Sequence, residues 1–235
     1  PETKSIFYKD NGFQIGENFV QEDLAQTLSR ISSYGYREFY NGKTADLIIE
    51  CMDRTDGLIS YLDLANYKPI ERKPIEFYYR DSKVITMPPA SSGGIVLAQI
   101  LNQLENLDMN EIPYHSVEHI HYMTEVEKRA YADRAEILGD SDFIDIPIDS
   151  LISDDYAKNK MSDIDCCNVT PSLDIKPFQV LNSEKDETTH YSIVDKWGNA
   201  VSVTTTVNGW YGSGITVDNA GFLLNNEMDD FSIKP

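Results

Sequence analysis

Hydrophobic residues in the first part of the chain recur every three or four positions, a spacing that predicts amphipathic helices. The pattern holds over residues 20–31 and stops at Gly35, a residue type that commonly ends a helix. It returns over residues 45–52, after the Asn41-Gly42 turn. The N-terminal part of the chain is therefore predicted to be mainly helical.

Serine hydroxyls mark the starts of two further predicted helices. Ser91 and Ser92 offer N-caps for a helix through Leu104, and Ser116 offers one for a longer helix that ends near Leu138. In the longer helix, the residues spaced for one face are Ile120, Met123, Ala130, Tyr131, Arg134 and Leu138.

The second half of the sequence changes to a pattern typical of strands. Residues 191–195 and 200–207 alternate β-branched and polar positions around a Lys-Trp-Gly-Asn turn, which predicts a hairpin. A second hairpin is predicted around Asp218–Gly221, and residues 75–87 are predicted to be extended. Helices followed by strands, with the polar and acidic segment 162–187 between them, indicate an α+β layered fold.

Composition narrows the classes of function. The chain has 235 residues and a formal net charge of −19, which disfavours binding to nucleic acid or to an anionic membrane. No apolar run reaches the length of a membrane span. Four histidines and three cysteines, two of them adjacent at Cys166 and Cys167, match no familiar zinc spacing or disulfide framework, so no metal site is expected.

Thr188 stands where the polar segment meets the first predicted hairpin. A threonine hydroxyl is a weak nucleophile unless a base lies beside it, and a free α-amino group is such a base. A cut before Thr188 would supply that amine. The residues alone leave two questions open. The threonines are either part of a nucleophilic site or simply strand formers of an exposed hairpin. The acidic residues Glu227, Asp229 and Asp230 form either a site for a cationic amine or a solvated strand end.

Longer stretches of the sequence resemble the γ-glutamyltranspeptidase family of N-terminal-nucleophile hydrolases. The resemblance is carried by FVQEDLAQTLSRI, GLISYLDLANYKPIERKPI, MPPASSGGI, IHYMTEVEKRAYADRAEILGDSDF, and TTHYSIVDKWGNAVSVTTT through NNEMDDFSIKP. It implies part of a four-layer αββα sandwich made as a precursor (a zymogen) that cleaves itself. Residues 1–187, with the acidic linker 162–187, would be the C-terminal part of the large subunit, and residues 188–235 the N-terminal part of the small subunit.

The resemblance also implies roles for individual residues. The chain would be cut between Glu187 and Thr188, and Thr188 would then be the nucleophile, assisted by Thr206. The side chains that would hold the α-amino group of a γ-glutamyl donor are those of Asn208, Glu227 and Asp230. The donor would be glutathione or a similar compound, the acceptor an amino acid or water, and neither a metal nor an organic cofactor would take part.

The family places further parts of its site outside this chain: an arginine upstream, and Ser-Ser and Gly-Gly motifs downstream. The 235 residues alone are therefore expected to have little activity without the remaining large- and small-subunit segments. Relatives in bacteria are usually exported, which implies a periplasmic or secreted protein. A related Thr-nucleophile acylase or poly-γ-glutamate transferase, and a non-catalytic acidic interaction fragment, stay as alternatives.

Overall fold

A computed structural model of the chain describes residues 2–175 and 189–230. The described residues contain helices and antiparallel strand pairs, and the α+β prediction is confirmed. The chain forms two compact units, Pro1–Pro69 with Glu184–Pro235, and Ile70–Ser183.

The first unit contains five helices, one strand pair and a 3₁₀ turn within the described residues. They are α1 (Glu2–Phe7), α2 (Glu22–Tyr34), α3 (Tyr36–Asn41), α4 (Lys43–Thr55), α5 (Tyr61–Asn66), β3 (Thr189–Val194), β4 (Ala200–Thr205) and the 3₁₀ turn Glu227–Asp230. Both helices predicted from periodicity are confirmed as α2, which ends at Gly35, and α4.

The core of the first unit joins α4 to the turn of the second predicted hairpin. Leu47, Ile48 and Cys51 of α4 are buried together with Val217 and Ala220. Residues far apart in sequence thus share one apolar cluster, and its burial holds the later part of the chain on the earlier helices.

The predicted reversal at Asp218–Gly221 is confirmed: the Val217 amide donates to the Phe222 carbonyl at 3.0 Å, and Thr216 bridges Leu223. Gly221 has a φ of +76°, and a Cβ on it would lie 2.4 Å from the Leu24 amide nitrogen. Glycine is therefore required both for the backbone conformation and for the close approach of the turn to α2.

A buried polar network fixes the same turn. Thr27 Oγ1 donates to the Ala220 carbonyl at 2.9 Å. Arg30 donates to Thr27 Oγ1 at 2.9 Å and to Glu38 at 2.9 Å. Thr44 Oγ1 donates to the other Glu38 oxygen at 2.7 Å. Because each of these buried polar groups has a hydrogen-bond partner, the network fixes the position of the turn on the helices.

The predicted hairpin at 191–207 is confirmed as the antiparallel pair β3–β4, with Thr189 opposite Thr205 and Val194 opposite Ala200. Its turn is closed by Asp195, which accepts hydrogen bonds from the amides of Trp197 and Asn199. Both strands are largely exposed.

The second unit contains one strand pair and four helices within the described residues. They are β1 (Ile75–Tyr79), β2 (Ser82–Thr86), α6 (Gly93–Leu104), α7 (Val117–Ile137), α8 (Ile148–Leu151) and α9 (Asp154–Met161). The predicted extended stretch is confirmed, but it folds back as a hairpin, because Arg80 adopts a left-handed conformation between the strands (φ +51°). Ile75, Phe77 and Ile95 lie in its apolar core.

The two serine caps have different outcomes. Ser116 caps α7 as predicted, accepting from the His119 amide at 3.1 Å. The capping prediction for Ser92 is wrong: its hydroxyl makes no capping bond and accepts from Arg134 Nε at 2.7 Å. The other predicted serine, Ser91, accepts the amide of Gly93, the first residue of α6, at 3.4 Å. Glycine is required at position 94, where a Cβ would lie 1.9 Å from the Met87 carbonyl oxygen.

The residues predicted to share one face of α7 differ in burial. Ala130 is buried, but Ile120 and Tyr131 are 56% and 52% exposed. The helix instead buries three charged side chains at i, i+4 and i+8, namely Glu125, Arg129 and Asp133, each about 1% exposed. The spacing of apolar residues does not predict a buried face of this kind, because charged residues are normally exposed unless they are paired.

These buried charges are paired with partners that lie later in the chain. Arg129 donates to Glu125 at 2.7 Å and to Asp163 at 2.8 Å. The Thr170 amide donates to Glu125 at 3.2 Å. Residues 162–175 contain no helix or strand, and these bonds hold them on α7.

Asp133 accepts from Gln99, Tyr156 and Lys160 at 2.6–2.9 Å, which ties α6 and α9 to the same helix. Burial, and then the bond to Asp133, raise the pKa of the Tyr156 hydroxyl. Among the described helices, none combines the length and hydrophobicity needed to cross a bilayer.

Candidate active site

The structure describes some of the residues to which the resemblance gives roles, and others lie outside the described residues. Thr206, Asn208 and Glu227 lie within the described residues of the first unit. Glu187 and Thr188 lie outside the described residues. Asp230 closes the 3₁₀ turn with its backbone, and its side chain lies outside the description.

The end of β4 leads directly into the candidate site. Thr205 pairs with Thr189, and Thr206 is the next residue along the chain. Thr206 Oγ1 accepts the Asn208 amide at 2.9 Å, so the hydroxyl forms a tight turn with its own backbone. Asn208 adopts a left-handed conformation with φ +68°, which asparagine tolerates better than most residues.

Asn226 joins this turn to the acidic 3₁₀ turn. Its Oδ1 accepts the Gly209 amide at 2.9 Å, and its carbonyl accepts from Asn208 Nδ2 at 3.1 Å. Its own amide donates to the Val207 carbonyl at 3.2 Å. The side chain and the backbone of Asn226 thus both bond to residues 207–209. They hold Asn208 next to Asn226, which directly precedes Glu227.

The acidic turn is ordered by Asn226 and by its neighbour Asn225. Asn226 Nδ2 donates to Asp229 at 2.8 Å, and Asn225 Oδ1 accepts the Glu227 amide at 3.0 Å. Asn226 therefore fixes the separation between the Asn208 turn and the acidic residues. It stands within the NNEMDDF string, but no sequence pattern distinguishes a side chain that joins two loops.

Acidic residues concentrate in the segment that carries this site, although one of them, Asp218, is paired with Arg54 at 2.9 Å. Residues 206–230 contain four acidic side chains and no lysine, arginine or histidine. Amide and carboxylate oxygens are the acceptors that an ammonium group needs, and the negative charge compensates its desolvation. The arrangement is suited to binding a cationic amine.

Solved structures define the class to which this fold belongs. The chain is similar to cephalosporin acylase from Bacillus halodurans, with a TM-score of 0.82 and 26% identity over 100% of this chain and 41% of that one. It is also similar to γ-glutamyltranspeptidase from Helicobacter pylori, with a TM-score of 0.71 and 42% identity over 78% of this chain and 53% of that one. The fold is α+β and part of a four-layer N-terminal-nucleophile hydrolase sandwich.

Sequence comparison then gives the family. The sequence model of the γ-glutamyltranspeptidase family matches residues 1–235, and the chain belongs to that family. It is 47% identical to the glutathione hydrolase proenzyme of Escherichia coli K12 over 99% of this chain and 40% of that protein. The chain spans about 40% of the length of the curated relatives it matches.

Proposed function

We propose that the full-length protein is a glutathione hydrolase and γ-glutamyl transferase that matures by cleavage between Glu187 and Thr188. The observation that carries the proposal is the pair of loops joined by Asn226, which places Asn208 and the Glu227 turn together next to the end of β4. Family membership supports the same chemistry.

Chain connectivity supports a partnership between Thr188 and Thr206. Thr189 is opposite Thr205 in the hairpin, and consecutive Cα atoms are about 3.8 Å apart. Each proposed catalytic threonine is therefore one residue from this pair. In the proposal, the Thr206 hydroxyl helps to position Thr188.

In the precursor, the Thr188 hydroxyl attacks the Glu187 carbonyl carbon, and the Glu187–Thr188 amide bond breaks as an ester forms. Water hydrolyses the ester, which leaves a carboxylate on Glu187 and a free α-amino group on Thr188. An α-amino group has an ordinary pKa of about 7.7–8.0, so near neutral pH it can act as a general base.

In the mature enzyme, the Thr188 amine takes the hydroxyl proton as the oxygen attacks the γ-carbonyl carbon of the donor. Cysteinylglycine leaves from glutathione with that proton, and a γ-glutamyl ester remains on Thr188. Water then releases glutamate, or the amine of an amino acid takes the γ-glutamyl group. The donor ammonium is held by the oxygens of Asn208, Glu227 and Asp230.

The cut would divide the first unit, since its helices precede residue 187 and its hairpin follows it. The buried cluster of α4 with Val217 and the bond from Thr27 to Ala220 support a complex that stays together after cleavage. In this proposal, 1–187 is the C-terminal part of the large subunit and 188–235 the N-terminal part of the small subunit. The other segments of the full-length protein complete the site, and the enzyme is periplasmic or secreted.

A panel of donors tests the proposed substrate class. The full-length enzyme is given glutathione, a cephalosporin side-chain amide and poly-γ-glutamate, and kcat/KM is measured for each. We expect glutathione to be preferred by at least about tenfold, because its γ-glutamyl group supplies the free ammonium that the acidic turn would bind. Preference for the cephalosporin amide would instead identify an acylase, preference for the polymer a polymer transferase, and no turnover a non-catalytic protein.

Replacement of Asn226 tests the geometry of the site. We expect Asn226→Ala to lower kcat/KM for glutathione by about 100-fold, since a displacement near 1 Å in a positioned site has an effect of this order. The matched control is Asn199→Ala, which removes an asparagine that bonds to Asp195 in the β3–β4 turn. Equal losses in both variants would show that Asn226 has no special positioning role.

A further inference from the structure

Two adjacent thiols and a carboxylate converge on the surface of the second unit. Cys166 Sγ and Cys167 Sγ are 3.1 Å apart. With a carboxylate oxygen of Asp165, they form a group whose ligand atoms all lie within 4.8 Å of one another. All three side chains are exposed, so an ion from solvent has direct access.

The backbone that carries these side chains is held in place. Asp165 Oδ1 accepts the amides of Cys167 at 2.7 Å and Asn168 at 3.0 Å. On the adjoining helix, a ring nitrogen of His121 is 2.8 Å from the Asp165 carbonyl oxygen. The neighbouring Asp163 is bound to the buried Arg129 at 2.8 Å. The three ligands are therefore presented by an anchored turn, and little ordering is needed on binding.

We propose that Cys166, Cys167 and Asp165 bind a thiophilic divalent cation of the Zn²⁺ type. Thiolates select zinc and related soft ions over calcium or magnesium, and a carboxylate is an accepted third zinc ligand. On binding, each thiol loses its proton to solvent, so two thiolates and one carboxylate meet the ion and water completes a tetrahedral shell.

The geometry needs only a small adjustment. Two sulfurs at about 2.3 Å from one tetrahedral zinc ion are roughly 3.8 Å apart, somewhat farther than the present thiols. Both side chains are exposed, so rotation about their Cα–Cβ bonds meets no core packing. Adjacent cysteines have no CxxC spacing, and sequence reasoning therefore gave no reason to expect this site.

The test uses the reduced, metal-free full-length protein, with Zn²⁺ titrated against a chromophoric chelator. We expect one Zn²⁺ to bind at this site, and the affinity to fall at least about tenfold in Cys166→Ser and in Cys167→Ser. Asp165→Asn keeps the oxygen that accepts the Cys167 amide and loses the charge, so it should also weaken binding. The matched control is Cys51→Ala, which removes the buried third cysteine of the chain and should leave Zn²⁺ affinity unchanged.

Two further measurements keep the test independent of folding and of turnover. Cd²⁺ should give a thiolate-to-metal charge-transfer band that the Cys166→Ser/Cys167→Ser variant lacks. Zn²⁺ should raise the Tm of the parent but not of that variant, whose metal-free Tm should match the parent's because both side chains are exposed. Unchanged Zn²⁺ affinity in the double variant, or failure of the reduced parent to bind, would overturn the proposal.

Discussion

Thr188→Ala in the full-length protein is expected to leave one uncleaved polypeptide and to lower kcat/KM for glutathione by at least about 10³-fold, because it removes the proposed nucleophile of both steps. The uncleaved variant also has no free α-amino group at position 188, so the loss of cleavage and the loss of turnover have one cause. Gel electrophoresis and steady-state kinetics measure the two effects.

Two variants give this experiment its controls. Thr189→Ala removes the neighbouring hydroxyl, which lies on an exposed strand, and should mature and turn over like the parent. Thr188→Ser keeps a hydroxyl and should restore cleavage and part of the turnover. If Thr188→Ala matures normally and stays active, Thr188 is not the nucleophile.

Arg129→Met should destabilise the second unit by about 3–5 kcal/mol, the usual cost of leaving a buried charge without its partner. Arg129 is 1% exposed and donates to both Glu125 and Asp163. Methionine fills the space but leaves one oxygen of the buried Glu125 carboxylate without its cationic partner, while the other oxygen keeps Lys128 and the Thr170 amide. Urea unfolding of the full-length protein, with hydrogen exchange of the α7 amides, measures the loss.

The matched control is Arg37→Met on the exposed surface of α3, expected to change stability by less than about 0.5 kcal/mol. Glu125→Gln combined with Arg129→Met should be less destabilising than Arg129→Met alone, because the buried group that loses Arg129 is then neutral. A double variant that is as unstable as Arg129→Met would show that packing, not charge, dominates.

The pH dependence of the same unit follows from Glu125. Burial alone would raise the pKa of Glu125, but hydrogen bonds from Lys128, Arg129 and Thr170 outweigh it and lower the pKa to about 2. Because this folded-state pKa is below the ordinary value of 4.5, its stabilisation is complete above pH 4.5 and is lost as pH falls towards 2. Arg129→Met should therefore flatten the fall in stability across this window.

Local patterns in the sequence were sufficient where a single element determines its own structure. The apolar periodicity of α2 and α4, the Ser116 cap and the turn between β3 and β4 were all confirmed. Each depends on interactions between residues a few positions apart, and these leave a direct trace in spacing and residue type.

Long-range contacts explain what the sequence did not reveal. Arg129 can be buried on α7 because Asp163, 34 residues later, pairs with it, and Glu125 also accepts a hydrogen bond from the Thr170 amide, 45 residues later. Ser92 does not cap α6 because its hydroxyl accepts from Arg134 on another helix.

The candidate site depends on such contacts most of all. Asn226 joins two loops that no periodic pattern connects, and the roles of Thr188, Asn208 and Asp230 came from the family resemblance. Residue chemistry alone supplied only the general idea of a threonine activated by a new amino terminus.

Peptide mass spectrometry of the mature full-length protein, quenched during turnover of a slow γ-glutamyl donor, tests the proposed mechanism most directly. The proposal predicts a peptide that begins at Thr188 and carries one γ-glutamyl group on that residue. An intact Glu187–Thr188 bond in active enzyme, or a γ-glutamyl group on any other side chain, would contradict it.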